Sequence, residues 1–414
     1  MNDKFDNNGL ISDLSNVLKQ GPEWLLEKRR VSRDSFNNSP LPPRGLHLWR
    51  YTDPQKFINV SSTATDSATV GKQPSQINSD LSESDIPKGV IISSLSDAVE
   101  NHRDIVEPHL YQLINSDTGK FEAQNGALWD NGLFIFVPSG VTINKPLHFQ
   151  HVSSNAGSNN YPRLLIVVGD NAELSVIDEH LGAENNSDAP YYSNGAVEIF
   201  GYENSSVRYA NLQEHSAKVH TFFTHRARLG RGANMLTATM SLGGLLSKQN
   251  YGVILDGDGA ESNMYGLAFG SGHQHLDCHT LQHHRSSQTN SNIDFKVVLR
   301  DRAESAYTGL IRIEKEARNC EAYQINRNLL LNKGARAETI PELEILNEDV
   351  RCSHGATTGQ IDPMERFYLE ARGIDPSEAV RIIVAGFAES TLRHIPAEFR
   401  QGLQDAVAQK LKAM

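Results

Sequence analysis

The chain has 414 residues, of which 38% are hydrophobic and 21% charged, and its formal net charge is −11 at pH 7. This length allows more than one domain, and the negative charge argues against non-specific binding to nucleic acid or to an anionic membrane surface. No apolar stretch is long enough to span a bilayer, and the first residues lack the apolar core of a signal peptide. Because there are only three cysteines and no Cys-x-x-Cys pair, the sequence predicts a cytoplasmic protein without a disulfide framework.

Residues 1–125 are predicted to form an N-terminal helical region. Gly21-Pro22 breaks a first apolar stripe, and a second helix is predicted to begin at Glu23 and to end before the proline-rich run at 40–43. Residues 60–88 are rich in Ser, Thr, Asp and Asn, which predicts a loop or a mobile linker near that position. Residues 91–113 are long enough for one or two further helices.

Residues 126–358 have the character of a β core. Short apolar strands alternate there with Gly, Asn and Asp turns, and no amphipathic helix intervenes. Residues 303–307 align with 319–323 at an offset of sixteen, which favours a β-solenoid in which each repeat adds one rung. A β-sandwich with coincidental turn spacing is the alternative.

Residues 359–414 are predicted to form a C-terminal helical domain. One helix covers 363–372 and is closed by Gly373, a second runs from Pro376 to about Leu392, and a third begins at Pro396. The third helix carries an apolar stripe that either packs on the chain itself or docks a partner, and its periodicity alone favours packing. The stripe consists of Phe399, Leu403, Val407 and Leu411.

A histidine-rich segment raises the possibility of a metalloenzyme. On a strand, His275, Asp277 and His279 share one face and offer ligands that suit ferrous iron or zinc. They would extend over about 13 Å, however, so hydrogen bonding along a polar face is favoured. The other enzyme class considered, a β-helix polysaccharide lyase or hydrolase, requires export and a carboxylate or calcium cluster, neither of which the sequence indicates.

Cys352 and His354 are two residues apart, so on a strand their thiol and imidazole face the same side. The spacing permits a metal-handling pair or, equally, a buried cysteine beside a hydrogen-bonded histidine. The run Cys-Ser-His-Gly-Ala-Thr at 352–357, with 324–331 upstream, closely resembles the C-terminal signature of the SufB/SufD family in its SufD version. Residues 49–53 resemble the N-terminal pattern of that family, and the resemblance covers nearly the whole chain.

The resemblance implies a mainly β fold, with a right-handed parallel β-helix between N-terminal and C-terminal helical domains. It also implies a non-catalytic scaffold of the SUF system for iron–sulfur cluster assembly. Such a chain pairs with SufB through the β-helix, or with its own copy when isolated, and its C-terminal domain docks SufC, an ABC-type ATPase. The start of that domain contains Phe367, Tyr368 and Arg372, which the resemblance implies as partner-binding residues.

For the family, the histidine of Cys-Ser-His lies where a nascent cluster forms with SufB, which implies that role for His354 and a less defined one for Cys352. The sixteen-residue register puts Cys320 and Cys352 two rungs apart, about 9–10 Å, too far for a disulfide or for two ligands of one iron. A conventional cluster needs four thiolates, so we expect no stably bound cofactor and only transient iron or cluster, shared with SufB.

Overall fold

The computed structural model describes residues 10–12, 16–63, 76–77, 86–153, 159–182 and 191–412. The helices are α1 (Glu23–Asn38), α2 (Gln55–Thr63), α3 (Leu95–Asn101), α4 (Arg103–Val106), α5 (Lys120–Leu128), α6 (Pro363–Glu370), α7 (Pro376–Leu392) and α8 (Ala397–Lys412), with 3₁₀ turns at Asn16–Lys19 and His47–Trp49. The strands are β1 (Gln76–Ile77), β2 (Ile91–Ser94), β3 (Asn131–Val137), β4 (Leu147–Ser153), β5 (Pro162–Val168), β6 (Glu173–Gly182), β7 (Tyr191–Gly201), β8 (Ser206–Glu214), β9 (Val219–Leu229), β10 (Asn234–Ser241), β11 (Leu246–Leu255), β12 (Glu261–Gly270), β13 (His275–His284), β14 (Asn290–Leu299), β15 (Glu304–Ile313), β16 (Cys320–Leu330), β17 (Arg336–Ile345) and β18 (Val350–Gln360).

The strands coil into a parallel β-helix built from two 9-stranded sheets. Even-numbered strands follow one another in one sheet from β4 to β18, and odd-numbered strands do so in the other from β3 to β17. Each turn therefore contributes one strand to each sheet. Two antiparallel pairs, β1 with β4 and β2 with β3, lie at the first turn. The prediction of a mainly β fold with a parallel β-helix between N-terminal and C-terminal helices is confirmed.

The sixteen-residue repeat is half a turn and not a whole rung. Glu304 pairs with Arg336, and Cys320 pairs with Val350, so neighbours in one sheet are about thirty residues apart in the chain. The prediction of one rung per repeat is therefore wrong. Each full turn of the β-helix has two similar connections, one after each of its two strands. The sixteen-residue period in the sequence measures the spacing between successive connections, which is half of a full turn.

The recurring turns owe their residue types to backbone geometry. Asn171, Gly232 and Gly259 have positive φ values of 54°, 62° and 71°, a conformation that glycine and asparagine adopt most readily. A small residue follows each of these turns because it is enclosed in the β-helix core, where a larger side chain would meet its neighbours. These residues are Ala172, Ala233 and Ala260, all with no exposed surface.

Three apolar layers hold the protein together. One fills the interior of the β-helix. A second joins the N-terminal helices to the outer face of the odd-numbered sheet, where Trp49 stacks on Phe222 with ring centroids 5.9 Å apart. The third joins α7 and α8 to the outer face of the even-numbered sheet and includes Phe399 and Val407. The apolar stripe of α8 thus packs on the chain itself, with the side chain of Leu403 outside the described residues.

Most of the loop predicted near 60–88 lies outside the described residues; within it, α2 extends to Thr63 and β1 pairs with β4. Residues 91–113 contain the strand β2 as well as α3 and α4. The β-helix strands of the core run from Asn131 to Gln360. Among the helices of the described ranges, none has the length and apolar character that crossing a membrane requires.

Candidate functional site

The last turn of the β-helix, formed by β17 and β18, is an open end. Each of these strands is the last of its sheet, and its outer edge pairs with no strand in the described part of the chain. In a solenoid, the next turn normally covers the inward side chains. Here Ile345, at an inward position, is 38% exposed, while Leu343 and Val350 are half-buried. The helices α7 and α8 pack against the side of the β-helix and leave this end uncovered.

Cys352 and His354 lie on β18 at this open end. Cys352 pairs with Ala322 and His354 with Gln324, and both of these neighbours are fully buried inside the preceding turn. Because parallel strands in register share the same inward and outward alternation, Cys352 and His354 occupy inward positions. Cys352 is half-buried and His354 is exposed, so the imidazole is open to a partner or to an incoming metal.

Cys320 and Cys352 are closer than the sequence register predicted. Cys320 pairs with Val350, two residues before Cys352, so the two cysteines are diagonal neighbours on adjacent strands. The expectation of two rungs is wrong, because thirty residues complete a turn. Strand spacing and rise place their Cα atoms about 8 Å apart, which still exceeds the limit for a disulfide. All three cysteines are free, and Cys352 packs against the apolar cluster that contains Cys320.

The environment of Cys352 keeps its sulfur protonated at neutral pH. Partial burial, together with the nearby Cys320, raises the pKa of the Cys352 thiol above its ordinary value. A metal that binds this sulfur must displace the proton, so binding there would release a proton and weaken as pH falls. This behaviour suits a donor that holds its metal briefly.

The residues predicted to bind a partner, Phe367, Tyr368 and Arg372, lie on α6 or just after its end. Together with the exposed Met364 they form one surface, which we call the α6 face. Phe367 is 62% exposed and Tyr368 is 56% exposed, so both aromatic rings are largely open to solvent. The guanidinium of Arg372 lies 3.4 Å from the centre of the Tyr368 ring and donates a hydrogen bond to the Tyr368 carbonyl at 3.0 Å. Asp362 caps the helix by accepting from the Met364 N–H. The face borders a groove of about 630 Å³.

On the histidine-rich strand β13, the space between Asp277 and His279 is filled by the side chain of Lys248. Lys248 Nζ lies 2.9 Å from Asp277 Oδ2 and 2.6 Å from His279 Nε2, and Asp277 also accepts from the Thr52 hydroxyl. Although burial opposes it, Lys248 and His279 hold the pKa of Asp277 below its usual range. An ammonium group in this position would repel a metal cation. The geometry therefore favours the structural hydrogen-bonding alternative for His275, Asp277 and His279.

Sequence reasoning missed a second cluster, formed by His151, Asp178 and His180. Their ligand atoms lie within 4.8 Å of one another, and all three side chains are buried. The only local signal is the Asp-x-His spacing on β6, since His151 belongs to β4 and reaches the other two through strand pairing.

A long parallel β-helix with flanking helices, open at one end where a thiol and an imidazole are presented, places the chain in the β-solenoid class of proteins. The SUF system FeS cluster assembly SufBD core domain matches residues 151–387, and the SufBD N-terminal region matches 60–149. The chain belongs to the SufBD family of iron–sulfur cluster assembly proteins.

Relatives of this family match along nearly the full length of the chain. The chain is 25% identical to iron-sulfur cluster assembly protein SufB of Bacillus subtilis, over 94% of this chain and 90% of that protein. It is 24% identical to a SufBD family protein of Staphylococcus saprophyticus and 25% identical to one of Staphylococcus aureus, with the same coverage. The Bacillus subtilis relative is named SufB and the two staphylococcal relatives carry only the family name, so membership of the SufD branch stays a prediction.

Proposed function

We propose that this chain is the SufD-type, non-catalytic scaffold subunit of a SUF assembly complex. It pairs with a SufB-type chain at the open end of the β-helix and contributes His354, with Cys352, to the site where iron or a nascent cluster is held as cargo. The observation that carries the proposal is the exposed imidazole of His354 at an inward position of an uncovered last turn.

Pairing at this end has a physical basis. Unpaired parallel strands present rows of N–H and C=O groups that readily accept further strands. Apolar side chains that an additional turn would cover, such as Ile345 and the neighbouring Leu346 at 55% exposure, remain in contact with solvent. A related β-helix docked here would bury these side chains and satisfy both edges.

The donor set also supports a shared site. Cys352 and His354 supply one thiol and one imidazole, fewer than the four ligands of a conventional cluster, so the partner would supply the rest. Imidazole replaces thiolate in some clusters and changes their properties. A thiol with a raised pKa and an exposed imidazole would release their cargo more readily than four thiolates, as a scaffold that passes its cluster on must do.

The C-terminal helical domain, residues 359–414, is the proposed docking site for the SufC ATPase. The α6 face supports this proposal because it combines two exposed aromatic rings with an arginine, residue types that dominate the binding energy of protein interfaces. The stripe of α8 is already buried against the β-helix, whereas the aromatic rings of the α6 face remain exposed.

The test is co-expression of the tagged chain with SufB-type and SufC-type proteins, followed by co-purification under reducing conditions. We expect a complex that contains both partners, in which His354→Ala lowers iron–sulfur cluster formation while the complex stays assembled. Association with a SufD-type chain in place of a SufB-type chain would overturn the branch assignment. Unchanged cluster formation in the His354→Ala complex would overturn the role of the imidazole, and a homodimer alone would overturn the proposed heterodimer.

A further inference from the structure

We infer that His151, Asp178 and His180 form a metal site inside the β-helix, for a divalent transition ion of the zinc or ferrous class. The site lies on β4 and β6, at the opposite end of the coil from β18, and is independent of the proposed function. Its residues face the interior, because they continue the series of every second residue to which the core residues Leu147, Phe149, Leu174 and Val176 belong.

The three side chains converge on one point. Strand pairing sets His151 directly beside His180, and Asp178 precedes His180 by two residues on the same face. The Nε2 atoms of His151 and His180 lie 3.0 Å and 3.2 Å from the same carboxylate oxygen, Asp178 Oδ1. These separations are close to the roughly 3.4 Å expected between ligand atoms around a four-coordinate ion with bonds of about 2.1 Å. Two imidazoles and one carboxylate form a donor set that suits zinc or ferrous iron.

The hydrogen bonds around the cluster fix the orientation of the carboxylate. Asp178 Oδ2 accepts from the Tyr209 hydroxyl and from Asn211 Nδ2, which turns Oδ1 towards the histidines. Among the described residues, Asp178 Oδ1 and His180 Nε2 make no well-aligned hydrogen bond, and the close contacts of Oδ1 with the two histidines are 3.0 Å and 3.2 Å long. Buried polar atoms normally find a partner, and an ion is one of the explanations for those that do not. Tyr209 and Asn211 would be the outer groups that orient a metal ligand.

Electrostatics agree with this geometry. A carboxylate in an apolar interior is costly unless a positive charge accompanies it, and a divalent ion would supply that charge. A cavity of about 10 Å³ lies beside His180 and has room for about one water molecule.

The test uses the full chain carrying Cys352→Ser and His354→Ala, so that the open end contributes no ligand. The protein is unfolded, stripped of metal with a chelator, and refolded with either Co²⁺ or Zn²⁺. We expect about one equivalent of tightly held metal, the visible absorption of four-coordinate Co²⁺, and a higher midpoint of thermal unfolding with Zn²⁺ than without it.

In the same background, Asp178→Asn and His180→Gln should lose the bound metal and the Zn²⁺-dependent rise in the unfolding midpoint. Tyr209→Phe should weaken Co²⁺ binding about tenfold, since it removes only an orienting hydrogen bond. The matched control is His148→Gln, on the opposite face of β4, where His148 pairs with Glu179 at 2.9 Å; its metal content should not change.

Two results would overturn the site: a folded chain that binds no metal after refolding, or variants that keep the full equivalent. Circular dichroism establishes that each variant is folded before its metal content is compared. If Asp178→Asn does not fold, His180→Gln and Tyr209→Phe decide the question, because each leaves the buried carboxylate in place.

Discussion

His354 lies directly beside Gln324 on the neighbouring strand, at the same inward position one turn later, yet Gln324 has no exposed surface while His354 is open to solvent. The difference arises because Gln324 is covered by the turn that contains His354, whereas His354 is followed by no further turn in the described chain. Binding of another β-helix would give His354 the enclosed surroundings that Gln324 already has. The same contact would enclose any metal that the imidazole holds.

The first prediction concerns His354. Replacement of His354 by Ala in the assembled complex should lower iron–sulfur cluster formation about tenfold or more, because a donor to the cargo is lost. The measurement is the growth of cluster absorption during reconstitution with iron, sulfide donor and reductant. His273→Ala, which removes an exposed histidine from a distant turn, is the matched control and should have no effect. Equal loss in both variants would contradict a specific role for His354.

The second prediction concerns the α6 face. Phe367→Ala and Tyr368→Ala should each weaken binding of the SufC ATPase by about 2 kcal/mol, roughly thirtyfold in Kd, because buried aromatic anchors dominate interface energies. Isothermal titration calorimetry with the purified ATPase measures the effect. Tyr202→Ala removes a tyrosine that is 40% exposed on a turn of the β-helix and should leave Kd unchanged. Unaltered binding in both α6 variants would place the interface elsewhere.

The local pattern predicted a β-solenoid with a β-sandwich as the alternative, and the family resemblance favoured the parallel β-helix. The spacing of Cys352 and His354 was sufficient to predict that they share a face. Strand length, turn residues and period-two alternation are local properties, and they are visible without knowing which strands pair. The number of strands in one turn of the β-helix is not a local property, because the sixteen-residue repeat occurs in the strands of both sheets. Only strand pairing shows that Cys320 lies beside Val350.

The same limit applies to two groups of histidines. At His275, Asp277 and His279 the sequence favoured hydrogen bonding over a metal site, but it could not identify the partner, Lys248, which comes from the preceding turn of the sheet. The cluster at His151 and Asp178 went unseen because its members come from separate turns. In each case the neighbour that determines the role of the histidines is about thirty residues away in the sequence. Only the pairing of the strands shows that it is close in space.

The third prediction concerns the ion pair between Arg163 and Glu198, which is wholly buried and has an N–O distance of 2.6 Å. Glu198 also accepts hydrogen bonds from the backbone N–H groups of Tyr111, Leu113 and Ile114, so it fastens the segment before α5 to β7. Glu198→Gln should lower the free energy of unfolding by about 3–5 kcal/mol, because the buried guanidinium loses its counter-charge. Urea denaturation followed by circular dichroism measures this change.

Glu203→Gln is the matched control for that experiment. Glu203 pairs with Arg231 on the surface, where an ion pair contributes at most about 1 kcal/mol. A similar loss of unfolding free energy in the two variants would contradict the prediction, because burial of the Arg163–Glu198 ion pair would then make no difference to its effect on stability.

The fourth prediction concerns acid stability and His225, which has no exposed surface. Burial, helped by the nearby Arg226, lowers the pKa of His225 to about 3, and its ring nitrogens make no hydrogen bond with the described residues. In the unfolded chain this histidine has a pKa near 6.5. Between these two values the unfolded state binds the additional proton, so stability falls as pH drops below about 6.5 and rises as pH increases.

Replacement of His225 by Phe removes this titration while keeping an aromatic ring beside Tyr209, whose centroid is 5.1 Å away. The loss of unfolding free energy between pH 7 and pH 5 should therefore be about 2 kcal/mol smaller in His225→Phe than in the unaltered protein. Urea denaturation at the two pH values gives this difference directly. His273→Phe, which changes an exposed histidine, should retain the original pH dependence. If His225→Phe and His273→Phe lose the same stability on acidification, the proton uptake that drives acid unfolding belongs to other buried groups, such as His215, whose pKa is also lowered to about 3, chiefly by burial.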